Sequence, residues 1–299
     1  MSRQVQGYIY LTLAMLTVGS TVIASKLIAA GLPPFTATAA RFALAFPVFL
    51  VLMRATGVRL PKLSRRDRLI LLIQAGAGSV GYTTLLISGL SLTSAADAGV
   101  IIGTLPVVSA AISILLLGER PQPALLLAVA LATAGVSSIA FTPDAAGGSL
   151  AGNALILLAV VCEGLFILLN KRLTADIPPL AQSTLMTGIG FAVAVIPAVF
   201  EAPSAQGLSA SAAAAVGYYA LVPTVAGFLL WYAGAERVSG TEASLFTALA
   251  PVSAVLLAFV TLGEPVGFSQ LAGIACVLAA VLGLGLAGNR TATQPTEGR

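Results

Sequence analysis

The sequence is poor in charge and contains no histidine. Charged residues make up 9% of the 299 residues. Without histidine, Ser-His-Asp catalysis, histidine-ligated metals or haem, and an imidazole pH switch are excluded. The two cysteines, Cys162 and Cys276, both lie inside apolar runs, so neither a disulfide framework nor a CxxC site is predicted. A Walker-type GxxxxGK[ST] motif is also missing, which argues against ATP as a driving force. We therefore expect no cofactor and no bound metal.

Apolar residues, in contrast, make up 58% of the chain. Soluble domains contain about 45–50% apolar and about 25% charged residues, so lipid must solvate most of this protein. The apolar runs are continuous and much longer than the alternating ~10-residue strands of outer-membrane barrels. The sequence predicts an all-α polytopic membrane protein.

About 20 mainly apolar residues are needed for a spanning helix. By that measure we predict ten spans, of which the first is a retained signal anchor rather than a cleaved signal peptide. The predicted spans are 7–30, 34–53, 69–90, 94–117, 123–141, 149–170, 179–200, 211–234, 240–262 and 266–287. We group them as a first five-helix unit over residues 1–143 and a second over 144–287, followed by a disordered cytoplasmic tail over 288–299.

The positions of the cations predict the orientation of the chain. Of the 15 Lys and Arg residues, 13 fall in the loops and termini of one side, and the other two, Lys26 and Arg41, lie inside spans. Loops rich in Lys and Arg stay in the cytoplasm. We therefore expect a multi-pass protein of a bacterial-type inner membrane with both termini cytoplasmic. The basic charge is a topology signal and predicts no nucleic-acid partner.

An internal repeat appears when the chain is shifted by 145 residues. The matching positions are Gly7 with Gly152, Gly19 with Gly164, Lys26 with Lys171, Pro33-Pro34 with Pro178-Pro179, Gly89 with Gly234, Ser94 with Ser239, and Pro106-Val107 with Pro251-Val252. The third and eighth spans match poorly, and Gly81-Tyr82 aligns with Gly227-Phe228 only after a one-residue slip. Five spans per repeat is an odd number, so the second copy is predicted to be inverted. Inverted repeats are typical of alternating-access transporters with a site near the bilayer midplane.

Two further motifs identify a family resemblance. Each copy has Pro-Pro after its first span and Leu-Gly-Glu after its fourth, as Leu117-Gly118-Glu119 and Leu262-Gly263-Glu264. With the ten-span layout, these motifs resemble the drug/metabolite transporter superfamily, of the EamA-like ten-helix type, and the chain is similar to YddG-type aromatic amino acid exporters. The resemblance implies spans one, three, four, six, eight and nine around a central cavity, with spans five and ten at the periphery.

Glu163 is a deep carboxylate near the middle of the sixth span, and Asn170 lies on the same helix face. A charge at the bilayer centre costs about 2.5–3.5 kcal/mol on insertion scales, so such a group needs an explanation. One interpretation is a cavity carboxylate that meets a substrate ammonium group or carries a proton. The alternative is a protonated, hydrogen-bonded carboxyl that only holds helices together.

Uncharged polar residues complete the predicted substrate cavity. Tyr82 is the strongest aromatic candidate because its phenol needs a partner inside the membrane, and Trp231 is the next. The remaining candidates are Ser20, Thr21, Ser79 and Thr224. For each hydroxyl the alternative is a bond to its own or a neighbouring helix. For tryptophan and tyrosine near helix ends, the alternative is the interfacial belt.

The two cations inside spans are candidates for a gate or rim. Lys26 lies near a helix end, where its ammonium group can also simply extend to the interface. Arg41 is deeper, and its repeat mate is Met186, which suggests a specific role such as pairing with another helix or contacting substrate. Pro33, Pro34, Pro178 and Pro179 are candidate hinges, and the mid-helix prolines Pro106 and Pro251 are either bending points or fixed kinks.

The other acids are interpreted as structural. Asp97 and Glu242 follow Ser94 and Ser239 at the spacing of a helix capping box. Glu119 and Glu264 lie between spans and are expected to cap the next helix or bridge to a neighbour.

Together these features predict a secondary transporter, without enzymatic activity, that exports aromatic or apolar amino acids and related metabolites by alternating access. An amino acid would leave its carboxylate to hydroxyls and helix ends and its side chain to apolar walls. Nucleotide-sugar, lipid or cation cargo is the alternative within the superfamily; a channel and an intramembrane enzyme are weaker alternatives. The partners are a small-molecule substrate and the lipid bilayer; a monomer is plausible, and neither the oligomeric state nor the cargo range follows from the sequence.

Overall fold

The computed structural model describes residues 2–117, 123–140, 149–170, 172–201, 209–238, 246 and 249–292. Glu119, Lys171, Ser239, Glu242 and the end of the predicted tail, 293–299, lie outside these described residues. The first residues of that tail, 288–292, belong to the last helix.

The described chain is helical, because its apolar runs leave the backbone no partner in lipid other than its own helix. The helices are α1 (Arg3–Ala29), α2 (Pro34–Thr56), α3 (Arg65–Leu90), α4 (Ala95–Ile102), α5 (Leu105–Leu117), α6 (Pro123–Ala140), α7 (Leu150–Asn170), α8 (Pro179–Phe200), α9 (Ala210–Ala235), α10 (Leu249–Leu262) and α11 (Phe268–Ala292). Within the described part of the chain, six of them, α1, α2, α3, α7, α8 and α9, are long and apolar enough to cross a membrane. The protein is therefore a multi-pass membrane protein.

Local sequence explains where these helices begin and end. The hydroxyls of Ser2, Ser64, Ser94 and Ser209 each accept a hydrogen bond from the amide three residues later, which satisfies a free donor of the first turn. Helix α2 begins with Pro34, where no amide hydrogen is needed, and ends before Gly57, whose φ of 70° reverses the chain.

The predicted span 94–117 is divided into α4 and α5. The chain leaves the α-helix at Gly103 and Thr104, and the new helix begins at Leu105, immediately before Pro106. Proline has no amide hydrogen and its ring excludes the preceding turn, so the break lies where the sequence places it.

Two π-helical segments occupy the stretch in which the sequence repeat fails. They are Gln74–Gly81 in α3 and Ala220–Ala226 in α9, and the α-helix resumes at Tyr82 and at Gly227, which are 145 residues apart. A π-helical turn holds more residues than an α-helical turn. The one-residue slip of the two sequences therefore falls in a stretch whose geometry accommodates an additional residue.

Helix contacts follow the 145-residue offset. A Cβ added to Gly89 would lie 2.5 Å from Ile156 Cδ1, and one added to Gly234 would lie 2.7 Å from Leu11 Cγ, so α3 meets α7 as α9 meets α1. Residues 89 and 234, like 11 and 156, are repeat mates. A second set of mates behaves alike: Gly7 closely approaches Val238, and Gly152 closely approaches Thr93. Helix α2 packs against α8 and α6 against α11, while α1 contacts α3, α9 and α10.

Candidate functional site

Two adjoining cavities lie between the helices at the centre of the molecule. The polar chamber, of about 250 Å³, is lined by polar side chains that include Thr21, Arg41, Tyr82, Glu163, Thr187 and Tyr219. The apolar chamber, of about 320 Å³, is lined mostly by apolar side chains that include Met15, Pro106, Phe228, Trp231 and Pro251. Val18, Ile102, Leu105, Glu163, Pro223 and Phe228 line both, so the chambers share a wall.

Arg41 of α2 brings a positive charge into the polar chamber. Its side chain is 7% exposed, and its guanidinium carbon lies 4.3 Å from the ring centre of Phe42 and 4.4 Å from that of Tyr219. Both rings offer their negative faces to the cation. The Nε atom, however, has no hydrogen-bond partner among the described residues. The guanidinium group is thus held in place while part of its donor capacity remains unused.

Glu163 of α7 brings the opposite charge to the wall shared by the chambers. It is the acidic side chain among the described residues that line them, and Arg41 is the basic one. Both side chains line the polar chamber, and no ion pair joins these two described residues. An acidic and a basic side chain therefore face the same cavity without direct contact between them.

The repeat gives these two charges apolar mates. Glu163 corresponds to Val18 and Arg41 to Met186, and both mates line the polar chamber themselves. Because apolar residues serve the same helix positions in the other half, the shared fold does not require a charge at either place.

The polar chamber brings together five of the residues predicted from sequence, namely Thr21, Ser79, Tyr82, Glu163 and Thr224, while Trp231 lines the apolar chamber. Two of the hydroxyls donate to their own helices, Thr21 to the carbonyl of Val18 at 2.7 Å and Thr224 to that of Tyr219 at 2.9 Å. Their oxygens remain available to the cavity only as acceptors.

Ser20 and Asn170 are placed elsewhere. Ser20 accepts a hydrogen bond from the Tyr218 hydroxyl at 2.8 Å and donates to the Thr17 carbonyl at 2.6 Å. The side-chain oxygen of Asn170 accepts from Gln74 Nε2 at 3.4 Å and from Gln182 Nε2. Ser20 thus connects α1 with α9, and Asn170 connects α7 with α3 and α8.

The rim candidates have different surroundings. Lys26 Nζ donates to the carbonyl oxygens of Leu90 at 2.9 Å and Thr93 at 2.5 Å, so it completes the end of α3. Arg41 lines the polar chamber itself rather than a rim.

Each candidate hinge lies beside a carboxylate contact. Past Pro33 and Pro34, the Glu201 carboxylate accepts from the amides of Phe35 at 2.9 Å and Thr36 at 2.6 Å. Ahead of Pro178 and Pro179, the Asp67 carboxylate accepts from the Thr174 amide at 2.9 Å. Each proline pair is therefore anchored through one neighbouring acid.

The acids assigned to caps have structural contacts. The Asp97 amide donates to the Ser94 hydroxyl at 3.0 Å, and the Asp97 carboxylate accepts from Gln270 Nε2 at 2.9 Å. Glu264 accepts from the Ala96 amide at 3.0 Å and so caps α4 from a distant part of the chain.

The spans that the family resemblance places around the cavity do not include the second and seventh, α2 and α8, although Arg41 of α2 is itself a gate or rim candidate. Arg41 and Phe42 come from α2, and Ser183, Met186 and Thr187 from α8. Tyr219 is also not among the predicted cavity residues. It is 3% exposed, whereas its neighbour Tyr218 is 42% exposed, and the sequence alone does not distinguish the two. The pattern of apolar residues gives no phase in a helix that is apolar on all sides. The unlike mates Arg41 and Met186 were the available signal.

Known proteins similar to this chain are transporters, and the similarity extends over most of its length. The model of the EamA-like transporter family matches residues 5–141 and again 150–286, two matches that begin and end 145 residues apart. "Uncharacterized transporter YetK" of Bacillus subtilis (strain 168) is 35% identical over 93% of this chain and 86% of its own length. "Probable terminal-alkyne amino-acid exporter" of Streptantibioticus cattleyicolor is 29% identical over 70% of this chain and 69% of its own length.

A crystal structure of a protein 22% identical in sequence has the same fold, with a TM-score of 0.66 over 97% of this chain and 98% of that chain. Because the family model matches nearly the whole chain in two successive copies, this protein is a membrane transporter that belongs to the EamA-like transporter family.

Proposed function

We propose that the protein is a secondary transporter that exports amino acids with aromatic or apolar side chains, and related small metabolites, across the bacterial inner membrane by alternating access. The observation that carries this proposal is the pair of adjoining chambers between the two repeats, of which one has Arg41 and several hydroxyl groups in its lining and the other is lined mostly by apolar side chains. A concave site with apolar walls and a few convergent polar groups is typical of small-molecule binding.

The reciprocal glycine contacts support an inverted repeat. When residue i of one half meets j of the other, and the mate of j meets the mate of i, the two halves are related by a two-fold axis. The contacts of Gly89 with Ile156 and of Gly234 with Leu11 have this form. With ten spans, each half has five, and the axis lies in the membrane plane. The loop cations then place both termini in the cytoplasm.

The dimensions and walls of the cavities support a cargo of amino acid size. Together the chambers are comparable with the roughly 300–1,000 Å³ of typical small-molecule sites. The relative from Streptantibioticus cattleyicolor is named as an amino-acid exporter. A nucleotide-sugar would need several cations for its diphosphate, and Arg41 is the cation among the described residues that line the chambers.

Transport proceeds by rocking of the two halves about the Pro33-Pro34 and Pro178-Pro179 segments, which opens the chambers to each side in turn. Tyr82, Glu163, Ser79 and Thr224 contact the cargo from the polar chamber, and Trp231 contacts it from the apolar one. The protein acts without a cofactor and catalyses no reaction, and one chain contains the whole pathway.

The test is counterflow with purified protein in liposomes. Vesicles preloaded with unlabelled leucine or phenylalanine are diluted into a trace of the labelled amino acid, so that the outward gradient of unlabelled substrate drives exchange without an imposed ion gradient or membrane potential. We expect transient accumulation of label that is absent from empty vesicles. If neither counterflow nor gradient-driven uptake of any aromatic or apolar amino acid exceeds that of empty vesicles, the cargo is wrong.

A further inference from the structure

We infer that Arg41 and Glu163 together form a zwitterion site, at which Arg41 binds the α-carboxylate and Glu163 the α-ammonium group of one amino acid. The inference rests on the proposed function and specifies its cargo: an intact α-amino acid with an apolar side chain. The same site discriminates against amines without a carboxylate and acids without an ammonium group.

Arg41 has hydrogen-bonding capacity that no described residue uses. A buried cation is retained only when other groups compensate its lost hydration. Here the faces of Phe42 and Tyr219 hold the guanidinium group, and its Nε has no partner among the described residues. A guanidinium fork matches the geometry of a carboxylate, which accepts two parallel hydrogen bonds. Because Arg41 also lines the polar chamber, a carboxylate bound in that chamber can accept hydrogen bonds from its guanidinium group.

The two ionisable side chains are close to the same space but not to each other. Arg41 and Glu163 both line the polar chamber, and no ion pair joins these two described residues. An α-amino acid carries a carboxylate and an ammonium group on one carbon atom, so it can present one group to each of two side chains that line the same chamber. Binding would then replace each group's lost hydration at once.

The apolar chamber adjoins the polar one and offers space for the side chain of the ligand. Glu163 belongs to the shared wall, so a ligand whose ammonium group reaches it lies at the entrance to the apolar chamber. Met15, Phe228 and Trp231 line that chamber and offer apolar contacts to an aliphatic or aromatic side chain. The polar chamber thus binds the charged groups of the ligand, and the apolar chamber binds its side chain.

The chain provides its own optical probe for this site. Trp231 is the single tryptophan of the sequence and lines the apolar chamber. Titrations of purified protein would compare L-leucine with 3-methylbutan-1-amine, which lacks the carboxylate, and with 4-methylpentanoate, which lacks the ammonium group. All three have the same apolar end and no absorbance that overlaps with tryptophan. Ligand-dependent thermal stabilisation gives a second readout, since a ligand that binds the folded state raises its stability.

We expect leucine to bind about 10- to 100-fold more tightly than either analogue, because each analogue loses one charge-assisted interaction. Arg41→Met installs the residue of the other repeat and should abolish the preference for leucine over the amine. Glu163→Gln should abolish its preference over the acid. Arg41→Gln serves as a second variant if the methionine variant does not fold.

Matched controls separate the site from charge in general. Arg237 also lies over an aromatic ring, that of Tyr10 at 5.3 Å, but does not line either chamber, so Arg237→Met should leave the leucine preference unchanged. Glu236→Gln at an exposed helix end is the control for Glu163→Gln. Equal affinities for leucine and both analogues would overturn the zwitterion site while leaving leucine transport intact. Absence of any leucine response together with absence of counterflow would overturn the proposed cargo as well.

Discussion

Arg41 and Glu163 face a common chamber from different halves of a repeated fold, and the mate of each, Met186 and Val18, lines the same chamber. The surrounding framework is therefore symmetric, whereas its charge is not. A ligand with two unlike ends can bind such a chamber in one orientation only.

Two substitutions of Tyr219 should distinguish the contribution of its ring, which holds the Arg41 guanidinium group, from that of its hydroxyl group. A cation over an aromatic ring gains about 0.5–2 kcal/mol. Tyr219→Leu should therefore weaken leucine binding roughly 2- to 30-fold. Tyr219→Phe keeps the ring and should stay close to wild type in the Trp231 titration. Equal losses in both variants would show that the hydroxyl, not the ring, matters.

The interface glycines should tolerate no side chain. Gly89→Ala places a Cβ 2.5 Å from Ile156 and Gly234→Ala places one 2.7 Å from Leu11, so each should destabilise the protein by about 1–3 kcal/mol. Thermal unfolding in detergent measures the loss. Gly76→Ala is the control, because no atom lies within 4 Å of its added Cβ. Ile156→Ala should partly rescue Gly89→Ala; an unaltered loss would mean that the contact is not the cause.

Removing the Lys26 ammonium group should reduce stability but not selectivity. Lys26→Met deletes hydrogen bonds to the carbonyls of Leu90 and Thr93, and charged hydrogen bonds contribute about 1.5–3 kcal/mol. The unfolding temperature should fall, while the affinity ratio of leucine to 3-methylbutan-1-amine should stay constant. A changed affinity ratio at an unchanged unfolding temperature would indicate that Lys26 contacts the ligand.

The Glu201 carboxylate should be needed for the start of α2. It accepts from the amides of Phe35 and Thr36 and from the Thr36 hydroxyl at 2.8 Å. Loss of a helix cap costs about 0.5–2 kcal/mol, so Glu201→Ala should lower the unfolding temperature. If the adjacent Pro33-Pro34 segment is a hinge, counterflow rates should change in the same variant. Glu236→Ala, at an exposed position, should change neither quantity.

The proposed orientation has a direct test. A cysteine at Arg66 should react with a membrane-impermeant maleimide only in inverted vesicles, because the loop cations place that segment in the cytoplasm. A cysteine at Ser209 should react only from the opposite side. Labelling of both from the same side would contradict the ten-span topology. Background from Cys162 and Cys276 is removed by using serine at those positions.

Much of the fold could be predicted because its signals are local or periodic. Ser94 caps α4 as its spacing with Asp97 indicates, and the break before Pro106 follows from the missing amide hydrogen. The repeat could be found because uncommon residues, such as Lys26 and the paired prolines, recur at one constant separation in sequence. The π-helical segments could not be predicted, because their turns depend on packing between helices rather than on composition.

The cavity was harder to predict, since the orientation of a side chain depends on helix rotation. Ser20 and Thr21 are adjacent, yet Ser20 bonds Tyr218 while Thr21 lines the polar chamber. Tyr218 and Tyr219 differ in the same way. Arg41 was recognised as unusual from its unlike mate, but its position over Tyr219 joins residues 178 positions apart in sequence, for which one sequence holds no distance information.

The reciprocal contacts also predict which contacts would persist in a second conformation of the protein. Suppose that each half adopts the shape that the other half has in this structure. A contact such as Gly89 with Ile156 then persists, because the contact between their mates, Gly234 and Leu11, already has the same form. Contacts without such a partner, among them Asp67 with Thr174, whose mates are Ala212 and Ala29, have no equivalent to conserve. The 145-residue offset thus divides the contacts of this protein into those that alternating access would preserve and those that could differ between an inward-open and an outward-open state.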